Sequence, residues 1–267
     1  MELGTSSLGT WLVIVAGLVL GSFLNVCIYR IPRGQSIVSP GSRCPQCERP
    51  VHPWHNVPVL SYLWLRGKCA QCGKPISAVY PTVEILSATI YYMLFLKYGF
   101  GAPFFINVLL FSLLVVLVFI DLFERILPDV ITLPGLLLGF LLAPVQSSEF
   151  FAYAGPARYL ESFLGMLAGG GTLWLVAFLY LRLRKIEGMG FGDVKMMAMV
   201  GAFLGWRFAW VTIFLGSLLG AVIGSLYIFA LQKGQRYELP FGTFLGGGAV
   251  IATLWGPALV QWYFGML

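Results

Sequence analysis

Charge is what this chain has least of. Among its 267 residues only 10% are Asp, Glu, Lys or Arg, whereas 58% are hydrophobic. A soluble domain is closer to a quarter charged, so the scarcity excludes a water-soluble globule and indicates a polytopic membrane protein. Mean hydropathy, at +0.85, agrees. Other absences narrow the class. The first apolar run has no A-x-A-like cleavage signal after it and reads as a retained span. No HExxH ligand set occurs, which excludes the common zinc metalloproteases. The glycine-rich GMGFGD (188–193) lacks both the G-x-G-x-x-G spacing and a surrounding βαβ unit, which excludes a soluble nucleotide fold. No internal repeat and no low-complexity tract is evident, and nothing indicates a nucleic-acid partner.

Apolar segments of roughly spanning length fall at 9–29, 80–98, 103–121, 130–146, 159–181, 193–206, 208–231 and 241–265. The fourth and sixth are shorter than the ~17–25 residues usual for a span. With eight crossings the loops alternate sides, and 14 of the 17 basic residues fall on one side. The positive-inside rule then puts loops 31–79, 122–129, 182–192 and 232–240 in the cytoplasm and both termini outside. The fold expected is an all-α polytopic membrane protein of about eight transmembrane helices. It divides into a first helix (1–30), a hydrophilic cytoplasmic insert (31–79) between helices 1 and 2, and a bundle (80–267). The glycine groups LAGGGTLW (167–174) and FLGGGAVI (244–251) lie inside apolar segments, where small residues let helices approach closely.

The insert holds four of the five cysteines, as CPQC (Cys44, Cys47) and CAQC (Cys69, Cys72). Two such pairs, 21 residues apart, match a closed tetrahedral zinc site in which each knuckle supplies two thiolates. Cytoplasmic thiols stay reduced, and some fifty residues build little hydrophobic core, so a structural Zn2+ supplies the missing stability. His52 and His55 read as loop histidines, and Cys27 as a small buried hydrophobe.

Two acidic islands remain. Asp121 closes the third apolar run within DLFERILPD (121–129), and Asp193 opens the sixth behind Gly190 and Gly192. Both fall on the cytoplasmic side at similar depth. An acid at a span's centre costs ~2.5–3.5 kcal/mol on insertion scales, and less near the interface. Asp193 can be read as a helix cap with the glycines forming an irregular turn. If the two helices are neighbours, the acids can instead share a proton, one serving as base toward water and the other as acid toward the scissile amide. Asp129 reads as a cap of the fourth helix, and Arg125, four residues beyond Asp121, as its partner if the helix continues. Glu84 falls early in the second helix, where a carboxylate suits the positive end of the dipole. Lys195 either steers an anionic group or follows the positive-inside rule.

Taken together, GSFLNVCIYRIP (21–32), the two cysteine pairs, YPTVE (80–84), DLFERILPD and GMGFGDVKMMAMVGAFLG (188–205) give a chain that resembles the type 4 prepilin peptidases. This is a family of bifunctional leader peptidase and N-methyltransferase enzymes of the bacterial inner membrane. The resemblance implies a GxGD aspartic protease with Asp121 and Asp193 as catalytic acids, Gly190 and Gly192 as the element's backbone, and Lys195 and Glu84 as possible support. It implies type IV prepilins and type II secretion pseudopilins as substrates, cut before a hydrophobic helix on the cytoplasmic side. It also implies S-adenosylmethionine as methyl donor to the new N-terminus, for which the residues themselves offer no site. Three other readings stay open: a peptidase without methyltransferase activity, a proton-coupled transporter, and a zinc-bearing assembly platform.

Overall fold

The structure is a computed structural model, and it describes residues 7–186, 189–230 and 240–265. Gly188, Lys233, Arg236 and most of loop 232–240 lie outside the described residues. The described part is helical, and its only β pairing is two isolated bridges. The helices are α1 (Ser7–Arg30), a short α2 (Leu60–Trp64), α3 (Val79–Tyr98), α4 (Ala102–Glu124), α5 (Asp129–Leu142), α6 (Ala157–Met166), α7 (Thr172–Arg184), α8 (Phe191–Ala230) and α9 (Phe241–Gly265). A π-helical turn, Leu167–Gly171, joins α6 to α7. Six stretches among the described residues are long and apolar enough to cross a membrane, and Asp129–Val145 is a shorter apolar helix. Two compact units, Met1–Val116 and Leu117–Leu267, make up the chain.

In the first unit, α1 packs against α3 through glycines. A Cβ on Gly17 would meet the Ala88 backbone, and one on Gly21 would lie 2.8 Å from Glu84 Cα. Asn25 seals the lower end by donating from Nδ2 to Tyr80 O at 3.0 Å. These contacts make Gly21 and Asn25 of the GSFLN block packing residues of α1. Glu84, early in α3 as read, is also a buried tether. It is 6% exposed, and its Oε2 accepts the Val59 N–H at 2.8 Å. Val59 holds φ 60°, an uncommon conformation for a β-branched residue. The acid thus ties the insert to α3 at a strained turn.

The insert contains a repeat that its sequence hides. Arg43–Pro50 and Lys68–Pro75 share the pattern basic-Cys-x-x-Cys-x-x-Pro, and each closes with an antiparallel bridge between its first and last residues. Cys44 N–H donates to Arg49 O and Cys69 N–H to Lys74 O; the returning bonds run from Glu48 to Cys44 O and from Gly73 to Cys69 O. The turn requires φ near +60°, supplied by Glu48 (58°) in one copy and Gly73 (69°) in the other. The two copies differ at this turn position, where one carries a glutamate and the other the glycine that positive φ favours.

In the second unit, α8 answers the question of the short sixth segment. Gly205 breaks it with φ 72° and ψ 173°. Before the break, Ser162 Oγ donates to Ala202 O at 2.8 Å, and Gly165 and Gly169 press against the backbones of Gly201 and Met197. After it, Gly256 faces Phe208, Gly248 faces Gly216 and Thr212, and Gly220 faces Phe244. Because Gly242 at the start of α9 also faces Asp193 at the start of α8, the chain must turn back at Gly205. The eight segments read from the sequence are therefore present, with two of them written as one helix. Gly169 and Gly170 of one glycine group and Gly246 and Gly248 of the other serve close helix contact as expected, which suits packing where lipid offers no hydrophobic drive between helices.

Candidate active site

Asp121 sits in the last turn of α4 and Asp193 in the first turn of α8; both are buried, at 6% and 7% exposure. The beginning of α9 lies between them. A Cβ built on Gly242 would be 3.1 Å from Asp121 Oδ2, 3.1 Å from Asp193 Oδ1 and 3.0 Å from Leu127 Cδ1. The two oxygens are thus separated by no more than twice the first distance. Carboxylates so close resist ionising together, and can hold one proton between them as an acid–base pair. The sequence alone could not show this meeting, which needs α4 and α8 to be neighbours.

The surroundings of the two acids differ. Asp121 Oδ2 accepts the Thr243 N–H at 2.7 Å and its hydroxyl at 3.0 Å. Asp193 Oδ1 is buried and has no hydrogen-bond partner among the described residues. Asp193 N–H donates to Gly190 O at 3.2 Å, closing the first turn of α8. Neither Gly190 nor Gly192 has positive φ. No left-handed turn is therefore built at these two positions, and a Cβ on Gly192 would lie 2.8 Å from Leu127 Cβ, so this glycine lets the 125–128 loop approach closely.

Three neighbouring residues depart from expectation. Helix α4 ends at Glu124, and Arg125 takes φ 56° with its N–H on Asp121 O. Asp129 does not cap α5. Pro128 holds that position, and Asp129 is instead paired with Lys195, whose Nζ lies 2.7 Å from both carboxylate oxygens. Lys195 also stands 5.2 Å over the Phe191 ring. Gly242 and Thr243 escaped the sequence reading altogether. The available signal was Pro240–Thr243, a helix start on the same side as both acids, with small residues where apolar bulk is the rule.

The cysteine cluster forms in the first unit. The four Sγ atoms all lie within 4.8 Å of one another, and Cys44 Sγ is 3.9 Å from Cys72 Sγ. Four Zn–S bonds of about 2.3 Å span a tetrahedron of comparable edge, so the residues fit a metal ion. Backbone N–H groups of Cys72 and Gln71 pull the Cys69 thiol down to about 7, while Cys72 is pushed up to about 11 by desolvation and its thiol neighbours, so without metal the cluster favours one thiolate rather than four. His52 and His55 stand 6.0 Å apart, ring to ring, and do not join the four.

Comparison with known proteins agrees over nearly the whole chain. Residues 15–98 match the bacterial peptidase A24 N-terminal domain, and residues 108–225 match the type IV leader peptidase family. The chain is 36% identical over 276 residues to the prepilin leader peptidase/N-methyltransferase of Aeromonas hydrophila, covering 94% of this chain and 92% of that one. It is 33% identical over 273 residues to the protein of the same name from Pseudomonas aeruginosa, covering 94% and 91%. No solved structure matches it. The chain belongs to the type IV leader peptidase family, and is a multi-pass enzyme of the bacterial inner membrane.

Proposed function

We propose that this protein removes the leader peptide of type IV prepilins and type II secretion pseudopilins at the cytoplasmic face, using Asp121 and Asp193 as a catalytic pair. The observation that carries the reading is the convergence of both acids on Gly242. In the reaction, the ionised acid takes a proton from water as its oxygen attacks the scissile carbonyl carbon, and the protonated acid gives its proton to the carbonyl oxygen. The tetrahedral species then collapses. The first acid passes its proton to the leaving nitrogen as the C–N bond breaks, and the second recovers a proton from the gem-diol, so both return to their starting state. Charge development in a buried site, with water largely excluded, is where such a pair acts most strongly.

The cytoplasmic orientation is supported by the placement of basic residues, 14 of 17 on the side bearing both acids. The substrate's apolar helix would remain in the bilayer, with the bond to be cut held at the interface. Zn2+ is the metal that best suits four thiolates in a closed set, where it would hold the two knuckles of the 31–79 insert together. That insert, the first helix and the 80–267 bundle are the three working parts of the chain. Methylation of the new N-terminus from S-adenosylmethionine is supported by the double name of the relatives; no residue here is assigned to the donor.

Mass spectrometry of a prepilin incubated with the enzyme, with and without S-adenosylmethionine, tests both activities by cut position and added methyl mass. Asp121→Asn and Asp193→Asn should each lower cleavage by at least about a hundredfold. Full cleavage by either folded variant would end the assignment of the pair.

A further inference from the structure

Resting on the catalytic pair just described, we infer that Thr243 is a positioning residue that divides the labour between the two acids. Its backbone N–H and hydroxyl hold Asp121 as the ionised, water-activating base, and leave the shared proton on Asp193. The argument begins with donors. An ionised carboxylate accepts hydrogen bonds only, whereas a protonated one also donates. Asp121 Oδ2 receives two donors from one residue 122 positions away, at 2.7 and 3.0 Å. Asp193 Oδ1, equally buried, receives none among the described residues. A negative charge placed on Asp121 is therefore met by two dipoles already in place, while the same charge on Asp193 Oδ1 would be met by none.

Charged neighbours reinforce the division. Arg125, the residue after α4, has its backbone N–H on Asp121 O at 3.0 Å, which keeps a cation at that end of the helix. Lys195 lies only two residues from Asp193, yet is held on Asp129 at the start of α5. From α8 the group facing Asp121 is Asp193 itself. From α9 the neighbours are Gly242 and Thr243, and the described part of that helix carries no charged side chain. The single hydroxyl proton of Thr243 has two acceptors in reach, Val118 O at 3.3 Å and Asp121 Oδ2 at 3.0 Å, and the shorter contact to a charged oxygen directs it to Asp121 when that acid is ionised. Gly242 completes the arrangement by leaving no side chain between the acids.

The order of proton transfers follows. Asp121 accepts the proton of the attacking water while Asp193 donates to the carbonyl oxygen; on collapse Asp121 donates to the leaving nitrogen and Asp193 recovers a proton from the gem-diol. The test is the pH dependence of prepilin cleavage by the full-length enzyme in detergent or lipid. Thr243→Val removes the hydroxyl donor but keeps the backbone N–H and the shape. Since the base must be ionised, activity is lost as pH falls. With one donor gone, the acidic limb of kcat/KM should move to higher pH by about one unit, a roughly tenfold loss on that limb that recovers as pH rises. Thr243→Ser should keep the wild-type limb. If Thr243→Val folds poorly, Thr243→Ala carries the same expectation. An acidic limb unmoved in the hydroxyl-free variant, whatever its overall rate, overturns the role of Thr243. That failure is separable from failure of the pair, which only active Asp→Asn variants would show.

Discussion

Lys195 grips both oxygens of Asp129 at 2.7 Å, joining the first turn of α8 to the first turn of α5. The pair stands beside Asp193 without touching it, and fastens the two helix starts between which the 125–128 loop passes. Partial exposure, 24% for the lysine and 56% for the aspartate, limits its strength. A double-mutant cycle with Lys195→Met and Asp129→Asn should return a coupling of about 0.2–1 kcal/mol in thermal or denaturant unfolding. Cleavage should fall only modestly in either variant. A loss as deep as that of an Asp193 variant would mean that Lys195 acts in the reaction itself.

Gly242 is the position where volume should matter most. Gly242→Val would place a branched side chain against Asp121, Asp193 and Leu127. Cleavage should fall at least tenfold, because part of the general acid–base contribution depends on the acids' mutual geometry. Gly220→Ala, on the same helix pair but facing only the Phe244 side chain, is the control and should retain activity.

Removing metal should act on the first unit. Cys44→Ser with Cys72→Ser should lower bound zinc, read by elemental analysis, and speed proteolysis within 31–79. An insert this small has little else to hold it. Unchanged metal content would count against the four-thiolate site.

Glu84 offers a contrasting case of a buried acid. Glu84→Leu would strand the Val59 N–H, and should cost about 1–3 kcal/mol with faster hydrogen exchange across 57–63. Glu84→Gln retains an acceptor and should sit close to wild type. Exchange unchanged in the leucine variant would show that the turn at Val59 holds without it.

Much of this molecule was legible from composition alone. A charge content of 10% and the run lengths defined the helices, and the CxxC spacing defined the cluster, because each depends on near neighbours in sequence. Asp121 and Asp193 could be singled out because an acid at the end of an apolar run is costly. Their meeting was not legible, since it depends on α9 inserting Gly242 between them. Thr243 was hidden for the same reason: a threonine at a helix start is common, and only its distant partner gives it meaning. The helical spacing on which a pairing of Asp121 with Arg125 depended is not there, because α4 stops at Glu124 and Arg125 turns at φ 56°. Asp129 was read as a cap because Asp before an apolar run usually is one, but Pro128 already holds that place.

The turn at Gly205 leaves the leg from Phe191 to Leu204 only about 20 Å long at 1.5 Å per residue, and α5 beside it has 14 residues. A hydrocarbon layer is about 30 Å thick. A local thinning of the bilayer around these two short helices would bring headgroups nearer to the end of the bundle that carries the acids. Acyl-chain length thereby becomes a reagent: thin membranes bring the prepilin backbone within reach of solvent, and thick ones oppose it.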